Sequence, residues 1–433
     1  SLSNITTLTA SSLSQLATLA TAIGNNEFTS ATGLTTIAVN DTSIAADTLA
    51  ARIDSYDTIN GGSTTGMTLA SGATINVSSE AEITELLGDE TASRLTISDQ
   101  NITLDTGTMS VANAILLAAT TTGTITGSIT TTERVDALKT LYDTGETNAY
   151  TIVIAGDDAT GSTAAEFNTI NSATSVAVNA SAVTGLASDT ISNIKTLLTA
   201  GNDTNQFTAT SFSSLATAVV SDTTLDVSDF VDAVDQANTA TGDTSAVFTI
   251  TAVDTINGGT EANFTALLAD ETNNQVSITD QALTVDSGTI SVTNANLLAA
   301  TTTGTVTASI DTTEDVDTLK TLNETHAYTI VIASGDATSS TAAELNTING
   351  ATSVAVNMNA VTALAASSLT DLGTLATAIS NSEFSNGSNL TTIAVSDTAI
   401  AADTLAARID SYDTINGGST TNMTLASGAT ISV

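Results

Sequence analysis

The chain is 433 residues long and sets 46 Asp and Glu against seven Lys and Arg, a formal charge of −39, with 41 % hydrophobic residues and neither Cys nor Pro. That charge repels nucleic-acid phosphates and anionic lipid headgroups, the lack of cysteine excludes disulfides and thiolate metal sites, and a single His leaves zinc without its usual ligands. Metal chemistry here is oxygen chemistry, and no apolar run approaches the ~20 residues of a membrane-spanning helix.

Taken in chain order, β-branched runs alternate with Ala/Leu segments. TINVS at 74–78 reads as a strand, and Ser79 with Glu82 reads as a capping box opening a helix. RLTIS at 94–98 and GTITGSI at 123–129 are the next strands; Thr130 with Glu133 then opens a helix whose apolar stripe is Val135, Leu138 and Leu141. YTIVIA at 150–155 follows, then a helix opened by Thr163 with Glu166 and a strand, SVAVN at 175–179, in which Val176 is taken as a core position. AVFTIT at 246–251 and QVSIT at 275–279 continue the series, and Thr341 with Glu344 opens a segment that places Ala342, Leu345 and Ile348 on one face. Gly123, Gly201 and Gly304 follow Ala/Thr-rich segments, where a left-handed residue could close a helix.

The series repeats on two scales. Residues 45–65, AADTLAARIDSYDTINGGSTT, recur unchanged at 401–421, a displacement of 356 residues; within that module LLAATTTGT at 116–124 returns at 297–305, and AYTIVIA at 149–155 returns at 327–333. Self-similarity of this kind is the mark of a repeat architecture. It divides the chain into 1–78, equivalent to 357–433; 79–258, a first half-repeat; and 259–433, a second half-repeat with the start of the next copy. The chain therefore reads as a window on a longer array. Helices of about ten residues cannot stand alone in water and need a sheet to lie on. One strand and one short helix per rung predict an α/β solenoid with a parallel sheet, about fourteen rungs spanning ~65–70 Å. The competing reading is a string of compact α/β domains of about 180 residues, which the internal echo also permits.

Acidic loops are the candidate sites. Asp157, Asp158, Asp222 and Asp226 are oxygen clusters of the kind calcium takes, yet no stretch reproduces a known calcium loop, and helix capping or solvated charge is the plainer reading. Thr on alternate positions, as in Thr124-Ile125-Thr126, could stack into hydroxyl ladders that order water; Thr is also simply a good strand former. His326 has Asn148 as its counterpart in the other half-repeat, so it reads as a surface residue and not as a base. The cations read as local pairs, Arg52 with Asp54 and Lys139 with Asp136. Neither a phosphate loop nor a nucleophile elbow is visible, and an enzyme is not expected.

The phrases DATGSTAAEFNTINSATSVAVNASAVTG at 158–185 and DATSSTAAELNTINGATSVAVNMNAVT at 336–362 resemble repeats in giant cell-surface proteins of marine picocyanobacteria, including those associated with swimming motility, and in similar large bacterial adhesins. The resemblance implies a very long, extracellular, non-catalytic protein displayed on the cell, and it carries no site residues. With equal modules able to make equal contacts, the expectation is a structural protein that self-associates into a fibre, sheath or layer, with a cell-envelope polysaccharide as a further partner. The alternative is an adhesin stalk presenting a binding domain elsewhere; with 3 % aromatics and no Trp, the chain itself is a poor platform for sugar stacking.

Overall fold

The computed structural model describes residues 2, 4–28, 33–142, 145 and 147–433, and the chain divides into two units, Ser1–Val219 with Asp235–Ala246 and Val220–Val234 with Val247–Val433. The architecture is mixed α/β, with fourteen α-helices among the described residues and several open sheets.

In the first unit, successive turns of chain add parallel strands to two sheets. One runs Thr7–Ser11, Thr36–Val39, Gly66–Thr68, Leu95–Thr96; the other runs Ser43–Ala45, Thr74–Val77, Asn101–Leu104, Ile125–Ser128, Ala149–Thr151. The expected single strand per rung is therefore corrected over residues 36–104: two short strands, one for each sheet, precede each helix. The register aligns Ile44 with Ile75, Ile102 and Ile125, each at most 1 % exposed, so one residue per rung forms a continuous apolar row. Alternate side chains point outward, as the period of two requires.

The second unit rebuilds the same row 181 residues on: Leu225, Ile256, Leu283 and Val306 are in register and fully buried. Its five-stranded sheet runs Thr224–Asp226, Thr255–Gly259, Ala282–Val285, Val306–Ser309, Ala327–Thr329, and a three-stranded sheet of Ala363–Ser367, Thr392–Val395 and Asn422–Thr424 follows. Buried tyrosines tie neighbouring helices together: Tyr56 Oη, on helix Ala46–Ile59, donates to the Leu16 carbonyl of helix Leu13–Gly24 at 3.0 Å, and Tyr412 repeats that bond to Leu372 of helix Leu369–Ser380 at 3.0 Å.

Several local expectations hold. Thr163 with Glu166 and Thr341 with Glu344 form full capping boxes, and Val135, Leu138 and Leu141 are buried, as are Ala342, Leu345 and Ile348. Others need correction. QVSIT forms no strand, although Val276 and Ile278 are buried. SVAVN pairs only through isolated bridges, Val178 with Phe207 and Asn179 with Val153. The Thr130–Glu133 box does not form, because that helix starts at Val135 and Glu133 serves another rung; Glu82 bonds the Ser78 amide in place of its own cap. The three glycines close no helix with a left-handed turn. A Cβ at Gly123 or Gly304 would strike the Gln100 or Gln281 carbonyl, and at Gly201 it would lie 2.7 Å from the Phe212 ring, so close approach demands the glycines.

Core position shifts from Val176, which is half-buried, to Val178, which is 0 % exposed. Val178→Asp is expected to destabilise by more than about 4 kcal/mol, and Thr126→Ser, on the outward face, by less than about 0.5 kcal/mol. Thermal melts of the two variants check this; equal shifts would refute the stacked-row arrangement.

Candidate functional site

The acids concentrate where helices begin. Every helix leaves its first amides without an internal partner, and a short helix leaves a large share of its donors so exposed. Side-chain caps satisfy the third amide, as Ser110 Oγ does for Asn113 and Ser291 Oγ for Asn294. The first amide is satisfied from another rung. Leu13 N–H donates to Asp41 at 2.7 Å, Val111 to Glu133 at 3.1 Å and Val135 to Asp158 at 3.0 Å, while in helix Ala164–Ser172 it is the second amide, that of Ala165, that donates to Asp189 at 2.7 Å. The second unit repeats the device with Val292 to Glu314, Val316 to Asp336 and Leu369 to Asp397, at 3.1, 3.1 and 2.7 Å. In each pair the carboxylate lies 20–28 residues downstream, at the following rung.

Helix Val111–Thr120 receives a second carboxylate from the rung before it: Glu80 Oε1 accepts the Ser110 amide and Asn113 Nδ2, both at 2.9 Å. The Ser110 hydroxyl and amide, then Asn113, hold Glu80 below the usual carboxylate range. Glu261 makes the matching bonds to Ser291 and Asn294. Negative charge at a helix N-terminus is electrostatically favourable, and charge-assisted bonds of this type are stronger than neutral ones.

The four calcium candidates fall into this scheme to different degrees. Asp158 is buried, caps Val135 and meets Arg134 Nη2 at 3.1 Å, whereas Asp157 beside it is exposed, 4.0 Å from the same guanidinium. Asp226 Oδ1 accepts from the amides of Ser228 and Asp229 and from the Ser228 hydroxyl, starting helix Val227–Thr241. Asp222 lies half-buried four residues earlier. Among the described residues no three acids or imidazoles are grouped to hold a metal ion.

Two features escaped the sequence. Arg94 gathers three carboxylates from two helices: Asp89 at 2.5 Å, Asp54 at 3.2 Å and Asp57 at 3.5 Å. Asp54 is thus taken by Arg94, and Arg52, its expected partner, leaves Nε unbonded; Lys139 does pair with Asp136, at 2.7 Å, and also reaches Glu166 at 2.6 Å. Burial raises the Asp89 pKa and Arg94 opposes that rise. Spacing could not reveal the cluster, since its members lie 5 to 40 residues from Arg94.

His326 is the second. It is 6 % exposed, not a surface residue, and its Nδ1 accepts the Val306 amide at 3.2 Å, as Asn148 Oδ1 accepts the Ile125 amide at 2.9 Å. An accepting Nδ1 puts the proton on Nε2, which faces Glu324 at 3.8 Å without a hydrogen bond. The Asn-for-His exchange between half-repeats keeps one acceptor in place; only that acceptor role is common to the two side chains.

The outward threonine row is short. Thr103 aligns with Thr126, but Asn76 precedes them and Ala149 follows, while Thr284 and Thr307 are followed by Ala327. No helix among the described residues is long and apolar enough to cross a membrane. No family model and no curated protein matches the chain.

Two outcomes are expected. Arg94→Ala leaves Asp89 buried without its cation and costs about 3 kcal/mol, measured by denaturant unfolding. Burial lowers the His326 pKa from 6.5. Between the lowered value and 6.5 the unfolded chain binds the extra proton, so stability is full above pH 6.5 and declines as pH falls below it. His326→Asn, which retains an acceptor, removes that decline in melts between about pH 5 and 7, above the range in which carboxylates titrate.

Proposed function

We propose that this chain is a non-catalytic structural protein, an α/β solenoid segment whose equal modules build an extracellular fibre, sheath or layer. The observation that carries the reading is the carboxylate of one rung closing the helix of the rung before it. Such a rung is incomplete by itself and complete only between neighbours, the economy of a quasi-one-dimensional repeat. The 21-residue phrase repeated without change supports it, because identical surfaces recur at a fixed interval and equal units make equal contacts. An extracellular setting is supported by the Cys-free, Thr-rich, strongly acidic composition together with the resemblance to giant bacterial surface proteins.

The acids do two jobs in this reading. At the helix starts they hold rungs together; over the remaining surface they keep the molecule soluble and oppose lateral approach unless counter-ions screen them. Lateral order is therefore expected to depend on divalent cations more than on monovalent salt.

Electron microscopy of the purified chain with millimolar calcium, and again with chelator, tests the proposal. Fibres or sheets with a regular repeat are expected, with lateral order lost in chelator. Discrete particles under both conditions, at every concentration tried, would replace it with a passive stalk that presents a binding domain elsewhere.

A further inference from the structure

Acids outnumber cations by 46 to seven, and Arg94, Arg134, Lys139 and Lys320 each meet a carboxylate at 3.1 Å or closer. Arg52 and Arg408 meet none among the described residues, and in both Nε is buried without a hydrogen bond. The two hold the same place in the phrase repeated at 45–65 and 401–421, so one exception is made twice. It does not arise from a missing neighbour. Helix Glu80–Thr91 packs against the helix that carries Arg52, yet the acids nearby, Asp54 and Asp57, bond Arg94 instead.

Arg408 lines a cleft of about 640 Å³ shared by helices Ala342–Gly350, Leu369–Ser380 and Ala402–Ile415. Its guanidinium lies on Gly373, where a Cβ would stand 2.8 Å from Cζ and 3.0 Å from both Nη atoms. The equivalent of Gly373 in the first unit is Ala17, which carries that Cβ. Glycine is unfavourable inside a helix, and close approach of the arginine accounts for it here. Hydroxyl-binding groups surround the arginine. Thr370, Thr374 and Thr377 line the cleft, as does Glu383, whose oxygens accept Asn349 Nδ2 at 2.6 Å and Asn381 Nδ2 at 3.2 Å and keep lone pairs for further donors. Asn346, on the wall opposite, has its Oδ1 buried without a partner.

We propose that this cleft binds a sugar acid, with the unpaired Arg408 guanidinium holding the carboxylate of a uronate unit and the threonines and Glu383 holding its ring hydroxyls. A guanidinium with no acid of its own takes a carboxylate through two parallel donors, a geometry that lysine cannot offer. The volume lies in the range of small-molecule sites and exceeds what a lone carboxylate fills. A carboxylate from a second copy of the chain is the competing occupant; it arrives with a net charge of −39, whereas a single uronate brings one negative charge. The described lining includes no aromatic ring, so affinity rests on hydrogen bonds and is on the order of 1 mM. The site goes beyond the structural reading, since it serves a fibre and a stalk alike.

The test titrates digalacturonate, the uncharged disaccharide of galactose and acetate in turn into the 433-residue chain at ~0.15 M salt, where the chain's other charges are screened beyond ~8 Å. Saturable binding of digalacturonate is expected, with the neutral sugar and acetate each at least about tenfold weaker. Arg408→Gln weakens digalacturonate about tenfold. Gly373→Ala does the same by displacing the guanidinium, and Ala17 at the equivalent helix position shows that the fold accepts it. Arg52→Gln, outside the cleft, leaves binding unchanged. No saturation, equal binding of the neutral sugar, or indifference to Arg408→Gln overturns the proposal. Self-association that Arg408→Gln abolishes, without uronate binding, overturns it too and gives the arginine to a second copy. The structural reading fails separately: a chain that binds digalacturonate but assembles into nothing under the microscope sinks that reading and leaves the cleft standing.

Discussion

Short helices laid side by side, all starting at the same edge, cannot satisfy their own first amides, and the rest of the molecule is arranged around that deficit. Water could meet it, but a carboxylate meets it better, because the aligned peptide dipoles favour negative charge at that end. A helix whose cap comes from the next rung is held in place by the rung it helps to position. These caps link each helix to a segment 20–28 residues further on, which suits helices too short to form alone. The excess of acid is in part the sum of these caps.

The two half-repeats show which features of a rung are chemically fixed and which are open. Asp189 accepts the second amide of helix Ala164–Ser172, and its counterpart Ser367 accepts the first amide of helix Ala342–Gly350, through Oγ at 2.9 Å; where Asn148 accepts the Ile125 amide, a histidine takes the same bond. An acceptor is required and its identity is not. Buried tyrosine hydroxyls behave in the same way: Tyr328 reaches the Ala295 carbonyl at 3.4 Å, so the one polar atom of a large core side chain always finds a partner. Apolar positions are as permissive, with isoleucine, leucine and valine exchanged along the buried rows. Such tolerance follows from the parallel pairing, since each strand of the row meets only the strands beside it and any apolar side chain of similar size fills the place.

Much of this was legible without coordinates. Periodicity located strands such as Thr74–Val77 and Ile125–Ser128, and the capping pairs at Thr163 and Thr341 marked true helix starts. The failures share a cause. Thr130 with Glu133 has the spacing of a local box, yet Glu133 caps a helix 22 residues back, because parallel stacking brings that amide as near as its own. QVSIT has the composition of a strand and Gln275 accepts the Phe248 amide of strand Val247–Thr249, but Val276–Thr279 form no strand, and strand identity depends on pairing as well as on propensity. Glycines judged by backbone freedom turned out to be set by steric approach, which only a neighbouring rung reveals.

By itself the sequence determined the α/β class, the two repeat lengths, the apolar rows and the abundance of helix-starting acids, since these follow from local period and composition. The tertiary structure alone decided which acid serves which helix, why Arg94 stands among three carboxylates, and that His326 is a buried acceptor. The division has a physical reason. Hydrophobic period acts along the chain and can be read there, whereas hydrogen bonds and charge pairs between rungs act across it, at separations that the stacking sets.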